Sequence, residues 1–419
     1  MSAMGTGAKN GALELIARAL EENKSRIASV NETDVSRAER DGLPSPIVKR
    51  LRMDEKKVEA SAAGLRSLAG LPDPSGRQLL ATELDDGLVL RKVTCPIGVI
   101  GVIFESRPDA LVQIACLCLK SGNAVILKGG SEALETNRLL SSLIREASAR
   151  AGMPGGWITQ LETRAETNEI LGMDDCIDLL VPRGSNEFVR YIMDNTRIPV
   201  LGHADGVCHC YVDAAADAAL AVKVVADSKT QYAAVCNATE TLLVHRDIAP
   251  AFLPALWEEL NGEGKAPKVE LRCCAETMGI LAGRPMAVPA TEGDWSAEYL
   301  GYTLAVKAVG GVGEAIGHVN KYGSKHTDAI LTEDAEAARE FMRYVDSANV
   351  FHNCSTRFSD GFRYGFGAEV GVSTSKIHAR GPVGLDGLVT YKYLLSGNGN
   401  IVADYELGVR KFTHRAIQE

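Results

Sequence analysis

Apolar positions change their rhythm along this chain, and each change marks an element. Leu13, Ile16, Ala17 and Leu20 recur at helical spacing, and a charged helical pattern follows over residues 48–68. Leu71-Pro72-Asp73-Pro74-Ser75-Gly76 ends it, since two prolines cannot continue a helix. The turn signal Asp85-Asp86-Gly87 then introduces a strand-like run over 88–93. From Cys95 onward β-branched runs alternate with helical ones. Strands are predicted over 97–104, 124–127 and 176–181, and helices over 110–119, 131–151 and 186–195. Strand and helix alternating at this spacing predict βαβ units on a parallel sheet, the doubly wound α/β class. A second unit of the same class is predicted further on. It comprises helix 214–227, a polar loop around Cys236, strand 241–245, helix 250–260 and strands near 303–309 and 329–331. Alternation of Val402, Asp404, Tyr405, Leu407 and Val409 reads as a terminal strand over 401–412.

A chain of 419 residues is too long for one core and predicts two or three domains. The formal charge of −9 disfavours a nucleic-acid binder, which needs a basic face. The longest apolar run, 95–104, is broken by Pro96, Gly98 and Gly101 and falls well short of the ~20 residues that span a bilayer. Met1 to Asn10 is polar and Gly-rich, so no export signal is expected there. Ten cysteines with no export signal point to a reducing cytoplasm rather than to disulfides. None forms a C-x-x-C pair, no histidine cluster completes a ligand set, and no metal is expected.

One cysteine stands apart from the apolar surroundings of most others. In Ser228-Lys229-Thr230-Gln231-Tyr232-Ala233-Ala234-Val235-Cys236-Asn237-Ala238-Thr239-Glu240-Thr241, Cys236 lies in a small polar segment just before the run Leu242-Leu243-Val244. That is the setting of a nucleophile on a loop, and thiol nucleophiles attack carbonyl carbons. Two strand-to-helix turns offer a place for phosphate. Lys128-Gly129-Gly130-Ser131 and Arg183-Gly184-Ser185 each join a cation or hydroxyl to the open N–H groups of a helix start. The G-x-G-x-x-G fingerprint is absent.

These segments, with Val102 to Pro108, Gly206-Val207-Cys208-His209, Ser355 to Gly361 and Ser373 to Pro382, resemble the aldehyde dehydrogenase superfamily. Within it they resemble the γ-glutamyl phosphate reductase (glutamate-5-semialdehyde dehydrogenase) branch. The resemblance implies two doubly wound α/β domains plus a small β-flap. Residues 1–84 and 96–205 would bind nucleotide, 206–390 would carry the nucleophile, and 85–95 with 391–419 would form an oligomerisation flap. It further implies Cys236 as the nucleophile, Lys128 at the adenosine ribose, Gly184 and Ser185 at the pyrophosphate, and Glu298 at the nicotinamide ribose. Where many relatives carry a ribose-binding glutamate, this chain has Ser131, which removes a repulsion against a 2′-phosphate and favours NADPH/NADP over NADH.

The implied reaction is reduction of glutamyl phosphate to glutamate semialdehyde through a Cys236 thioester, the second step of proline biosynthesis. No glutamate lies between Val200 and Tyr211, where hydrolytic relatives keep a water-activating base. His203, 33 residues upstream of Cys236, is either a proton carrier or a turn residue. Arg107, Lys376 and Arg380 are candidates for the substrate's carboxylate and phosphate, with structural ion pairs as the alternative. The Cys236 N–H and the Ser106-Arg107 turn are candidates for the oxyanion. The resemblance also implies a homodimer or homotetramer and allows association with glutamate 5-kinase. A CoA-acylating aldehyde dehydrogenase, a non-catalytic binding protein and the reductase half of a bifunctional chain are the rival readings.

Overall fold

Two parallel sheets organise the chain, each inside its own unit. In the computed structural model, which describes residues 1–203 and 205–417, one unit comprises Met1–Leu201, Phe366–Gly371 and Val383–Glu419. The other comprises Gly202–Gly365 and Val372–Pro382.

The first unit opens with helices Thr6–Glu22 and Lys24–Arg40. The helical pattern over 48–68 is split into Ser45–Leu51 and Glu55–Gly70, because Asp54 caps a new start by accepting from the Lys57 N–H. The parallel sheet runs Ile158–Leu161, Ala124–Lys128, Val99–Phe104, Leu179–Arg183 in spatial order. Helix Pro108–Ser121 is buried over nearly its whole length, with Cys116 and Cys118 as apolar filler whose thiols burial pushes up.

A separate antiparallel sheet places Val389–Ser396, Leu88–Pro96, Gln78–Asp85 and Arg415–Ala416 side by side. Its first strand starts at Gln78, earlier than the sequence boundary at residue 85. Leu79 and Leu80 are both exposed there, so no alternation records a buried face. The expected strand over 401–412 is corrected: the segment holds the short helix Val402–Glu406, and pairing begins only at Arg415. Val402, Leu407 and Val409 are all exposed, so their alternation reflects no core-facing side.

The second unit carries a seven-stranded parallel sheet. Its order is Ala287–Pro289, Glu270–Cys273, Thr303–Val309, Thr239–His245, Cys208–Val212, Thr327–Leu331, Asn349–His352. Central strands are buried along their length, as helices on both faces require. Side chains alternate between two cores: Cys210, Val212, Leu242, Val244 and Leu331 face one, and Tyr211, Leu243 and Ile330 face the other. No helix among the described residues is long and apolar enough to cross a membrane.

Candidate active site

Asp217 starts the helix Ala218–Thr230 by accepting from the Ala219 and Leu220 N–H groups, and the chain leaves that helix at Gln231. It then crosses a short loop to the strand Thr239–His245, and the half-buried Cys236 sits in that loop. The loop is held from outside. The Asn237 side chain donates to the Ser359 carbonyl at 2.7 Å, and the Thr356 hydroxyl donates to the Asn237 carbonyl at 2.7 Å. The thiol of Cys208 reaches the Cys236 carbonyl at 3.1 Å. Gly206 lies so close that a Cβ there would stand 2.3 Å from the Cys236 carbonyl oxygen and 2.5 Å from its Cα. Only a glycine lets the two backbones approach in this way.

The location on the sheet explains who the neighbours are. Cys236 precedes the strand at Thr239, His203 precedes the strand at Cys208, and His326 immediately precedes the strand at Thr327. Those three strands are adjacent and parallel, so residues entering them meet at one edge. One ligand-capable atom from each of His203, Cys236 and His326 lies within 4.8 Å of the others. The His203 and His326 rings meet edge-on at 4.7 Å. The sequence showed no histidine cluster, because these residues are distant along the chain and only parallel pairing gathers them.

A buried ion pair joins the two ends of the loop. Lys229, at the end of the helix, meets the carboxylate of Glu240, early in the strand, and both side chains are fully buried. Burial pushes Glu240 up and Lys229 down, and their mutual attraction opposes both shifts. The other Glu240 oxygen accepts the Leu300 N–H at 3.2 Å. That bond ties in the segment carrying Glu298, whose charge acts on both partners. Nothing in the sequence pattern singled out this pair, although Lys229 and Glu240 flank the cysteine.

Arg357 is a second residue that sequence reasoning passed over. It is largely buried, donates through Nε to Gln231 Oε1 at 3.0 Å, and its guanidinium is electrostatically coupled to Cys236. Burial and the adjacent Arg363 pull its pKa down, and the thiol pulls it up. Lys376 and Arg380 instead share the carboxylate of Asp346, at 2.8 and 3.2 Å, with Lys325 nearby at 3.5 Å. Lys376 and Arg380 hold Asp346 below the ordinary carboxylate range.

In the first unit the remaining candidates gather at the carboxyl ends of the sheet. Lys128 closes its strand, is nearly buried and turns its ammonium to the Gly129 carbonyl at 2.5 Å. Ser131 opens the next helical turn and is exposed. Ser185 precedes helix Asn186–Asp194, and its N–H donates to Glu105 Oε2 at 3.0 Å. An exposed carboxylate thus already rests on this helix start, which is the behaviour of an anion-receiving turn. A Cβ on Gly184 would come 2.7 Å from the same carboxylate. Ser106 is buried with φ 45°, and both its N–H and its hydroxyl donate to Glu132 Oε1. Arg107 is exposed and precedes helix Pro108–Ser121.

A family model described as the aldehyde dehydrogenase family matches residues 1–263. The chain belongs to the aldehyde dehydrogenase family. A gamma-glutamyl phosphate reductase of Pelotomaculum thermopropionicum is 61% identical over 419 residues, covering 100% of this chain and 95% of the relative. A second, from Acetivibrio thermocellus, is 60% identical with the same coverage. The crystal structure of gamma-glutamyl phosphate reductase from Thermotoga maritima superimposes with a TM-score of 0.91 at 40% identity, over 96% of this chain and 95% of that one. An acetylating aldehyde dehydrogenase from Geobacillus thermoglucosidasius matches at 0.63 and 18% identity, a likeness of fold alone. Within the aldehyde dehydrogenase family this chain therefore stands with the gamma-glutamyl phosphate reductases, as its sequence motifs imply.

Proposed function

We propose that this chain reduces L-glutamyl 5-phosphate to L-glutamate 5-semialdehyde and phosphate with NADPH, the second step of proline biosynthesis from glutamate. The observation that carries the reading is a half-buried thiol fixed on a tied loop, in a chain 61% identical to a gamma-glutamyl phosphate reductase. In this mechanism the Cys236 thiolate attacks the acyl carbon, the carbon–oxygen bond to phosphate breaks, and phosphate leaves with that electron pair. A thioester remains on Cys236. The Cys236 N–H stabilises the oxyanion formed on attack. Arg357, coupled to the thiol, supplies positive charge towards the departing phosphate. No glutamate is available between Val200 and Tyr211 to activate water, so the thioester outlasts hydrolysis.

When bound, the dinucleotide supplies the hydride that reduces the thioester carbon. The hemithioacetal on Cys236 then collapses to the aldehyde and returns the thiolate. Lys128, Ser131, Gly184 and Ser185 would hold the adenosine and pyrophosphate portions, and Glu298 the nicotinamide ribose. The fit rests on the helix start at Ser185, which already accepts a carboxylate, and on the lack of an acidic side chain at Ser131. Arg107 and Ser106 belong to the same reading as substrate contacts. Lys376 and Arg380 would have to exchange Asp346 for substrate, so they rank behind Arg357. The antiparallel sheet of the first unit, with Tyr391, Tyr393, Leu394 and Leu395 exposed, supports a homo-oligomer built through it.

The test runs the reaction backwards: phosphate-dependent reduction of NADP⁺ by glutamate semialdehyde, comparing the native chain with Cys236→Ala. Turnover should fall by at least about 10⁴-fold in the variant, with NADPH binding retained. Residual turnover near the native rate would remove the covalent route. Turnover with CoA but not with phosphate would move the chain to the acylating enzymes.

A further inference from the structure

The edge where His203, Cys236 and His326 meet has the makings of a metal centre that the proposed reaction does not use. We propose that Cys236, His203 and His326 form a three-ligand Zn²⁺ site, so that the nucleophile can be sequestered reversibly by zinc. The donor set is one thiolate and two imidazoles, which suits Zn²⁺ and excludes the oxygen-seeking Mg²⁺ and Ca²⁺. Zn–S and Zn–N bonds of about 2.3 and 2.0 Å in a tetrahedron need donor separations of roughly 3.3–3.5 Å. Zinc would have to draw the observed spread of up to 4.8 Å in to these separations by turning the half-buried Cys236 and His203 side chains, a loop residue and its neighbour at the sheet edge.

The surroundings set both imidazoles up as ligands. His203 Nδ1 lies 2.9 Å from the Val372 carbonyl, which can only accept, so Nδ1 carries the proton and Nε2 the lone pair. A ligating histidine is ordinarily oriented by such an outer hydrogen bond. His326 is wholly buried, with Nδ1 2.8 Å from the Thr327 hydroxyl, and its Nε2 has no hydrogen-bond partner among the described residues. A buried nitrogen without a partner is costly unless something fills the position. Cys208 also approaches His326, at 3.8 Å, but on its Nδ1 side, and its thiol is turned to the Cys236 carbonyl at 3.1 Å. Three protein ligands therefore leave a fourth position for water. As the Zn–S bond forms the thiol proton passes to solvent, and the sulfur can no longer attack an acyl carbon.

The inference is tested on the whole chain, stripped with a chelator and titrated with Zn²⁺ against a chromophoric competitor. One equivalent should bind to the native chain. Binding at that site should be lost in Cys236→Ala and weakened at least about tenfold in His326→Gln. Co²⁺ in place of Zn²⁺ should give the intense visible bands of a tetrahedral ion and a sulfur-to-cobalt charge-transfer band. Zinc should also protect Cys236 from alkylation in the native chain and not in His326→Gln. Stoichiometric binding that survives Cys236→Ala would overturn the site, as would a weak octahedral cobalt spectrum or no binding to native, folded protein. None of these readouts needs turnover, so they stand apart from the fate of the proposed reaction.

Discussion

The two parallel sheets of this chain use opposite ends. In the first unit the candidate residues Ser106, Lys128, Ser131, Gly184 and Ser185 follow their strands, at carboxyl ends where helix starts face out. In the second, His203, Cys236 and His326 precede their strands, at amino ends where the adjacent helix Ala218–Thr230 is finishing. A helix start offers N–H groups and a favourable dipole to an anion; a helix finish offers neither. The first arrangement is suited to holding a dinucleotide. The second must fix its thiol by other means, and the structure shows them: a buried ion pair, a glycine approach and side-chain bonds from the 355–359 segment. Changes at Lys128, Ser131, Gly184 and Ser185 should move affinity for the dinucleotide, and changes around the Cys236 loop should move the rate or the stability of that loop.

The largest effect should come from the ion pair. Glu240→Gln keeps an acceptor for the Leu300 N–H but leaves the Lys229 ammonium buried without a counter-charge. Such a loss costs about 3–5 kcal/mol. Urea unfolding followed in the second unit should show it, while Lys229→Met with Glu240→Leu should recover most of it. A single Glu240→Gln chain as stable as the native one would mean the pair contributes nothing to holding the loop.

Gly206→Ala comes next. Its Cβ collides with backbone atoms of Cys236, so the thiol must move. Displacing a reacting group by about an ångström costs on the order of 10²-fold in rate. We expect kcat to fall by about that factor, with the KM for the dinucleotide unchanged. A parallel rise in that KM would blur the division between the units.

Much of this division was legible beforehand. The β-branched runs announced the sheets, because strands buried on both faces need continuous apolar sequence, as Val99–Phe104 has. The turns at Lys128 and Arg183 were legible because glycine next to a strand end carries a local geometric message. Cys236 stood out by its polar setting. What stayed hidden depends on pairing between distant residues. His326 joins Cys236 only through strand order, and Arg357 acts on the thiol from a segment whose Thr356 and Ser359 bond to the loop. The flap strand at Gln78 and the helix at Val402 were misread where both faces of an element are exposed and no burial imprints a period.

Lys128→Ala should affect the first unit alone. Removing the ammonium should raise the KM for NADPH by about tenfold, the worth of one charge-assisted hydrogen bond, with kcat held. Ser131→Glu places a carboxylate where none stands and should shift preference from NADPH towards NADH by a similar factor. A fall in kcat without a change in either KM would argue against a nucleotide role for this turn.

The last effect is a matter of pH. Of the eight histidines only His414 belongs to the first unit, while His203, His209, His245, His318, His326, His352 and His378 belong to the second. Burial, with help from His209, Lys307 and Lys321, pushes the His318 imidazole down to about 3. Neither of its ring nitrogens has a hydrogen-bond partner among the described residues. Above its ordinary value of 6.5 the ring is neutral whether the chain is folded or not, so stability does not depend on it there. Below 6.5 the unfolded chain takes up a proton that the folded chain refuses, and stability falls with pH until about 3. The slope from one such group is at most about 1.4 kcal/mol per pH unit. Hydrogen exchange at pH 7 and pH 5 should therefore show protection lost first in the second unit, around the strands Cys208–Val212 and Thr327–Leu331. His318→Phe should flatten that dependence while leaving the first unit's protection unchanged. Equal loss in both units would mean that acid acts on the chain as a whole, and that the two sheets are not the separate bodies their chemistry implies.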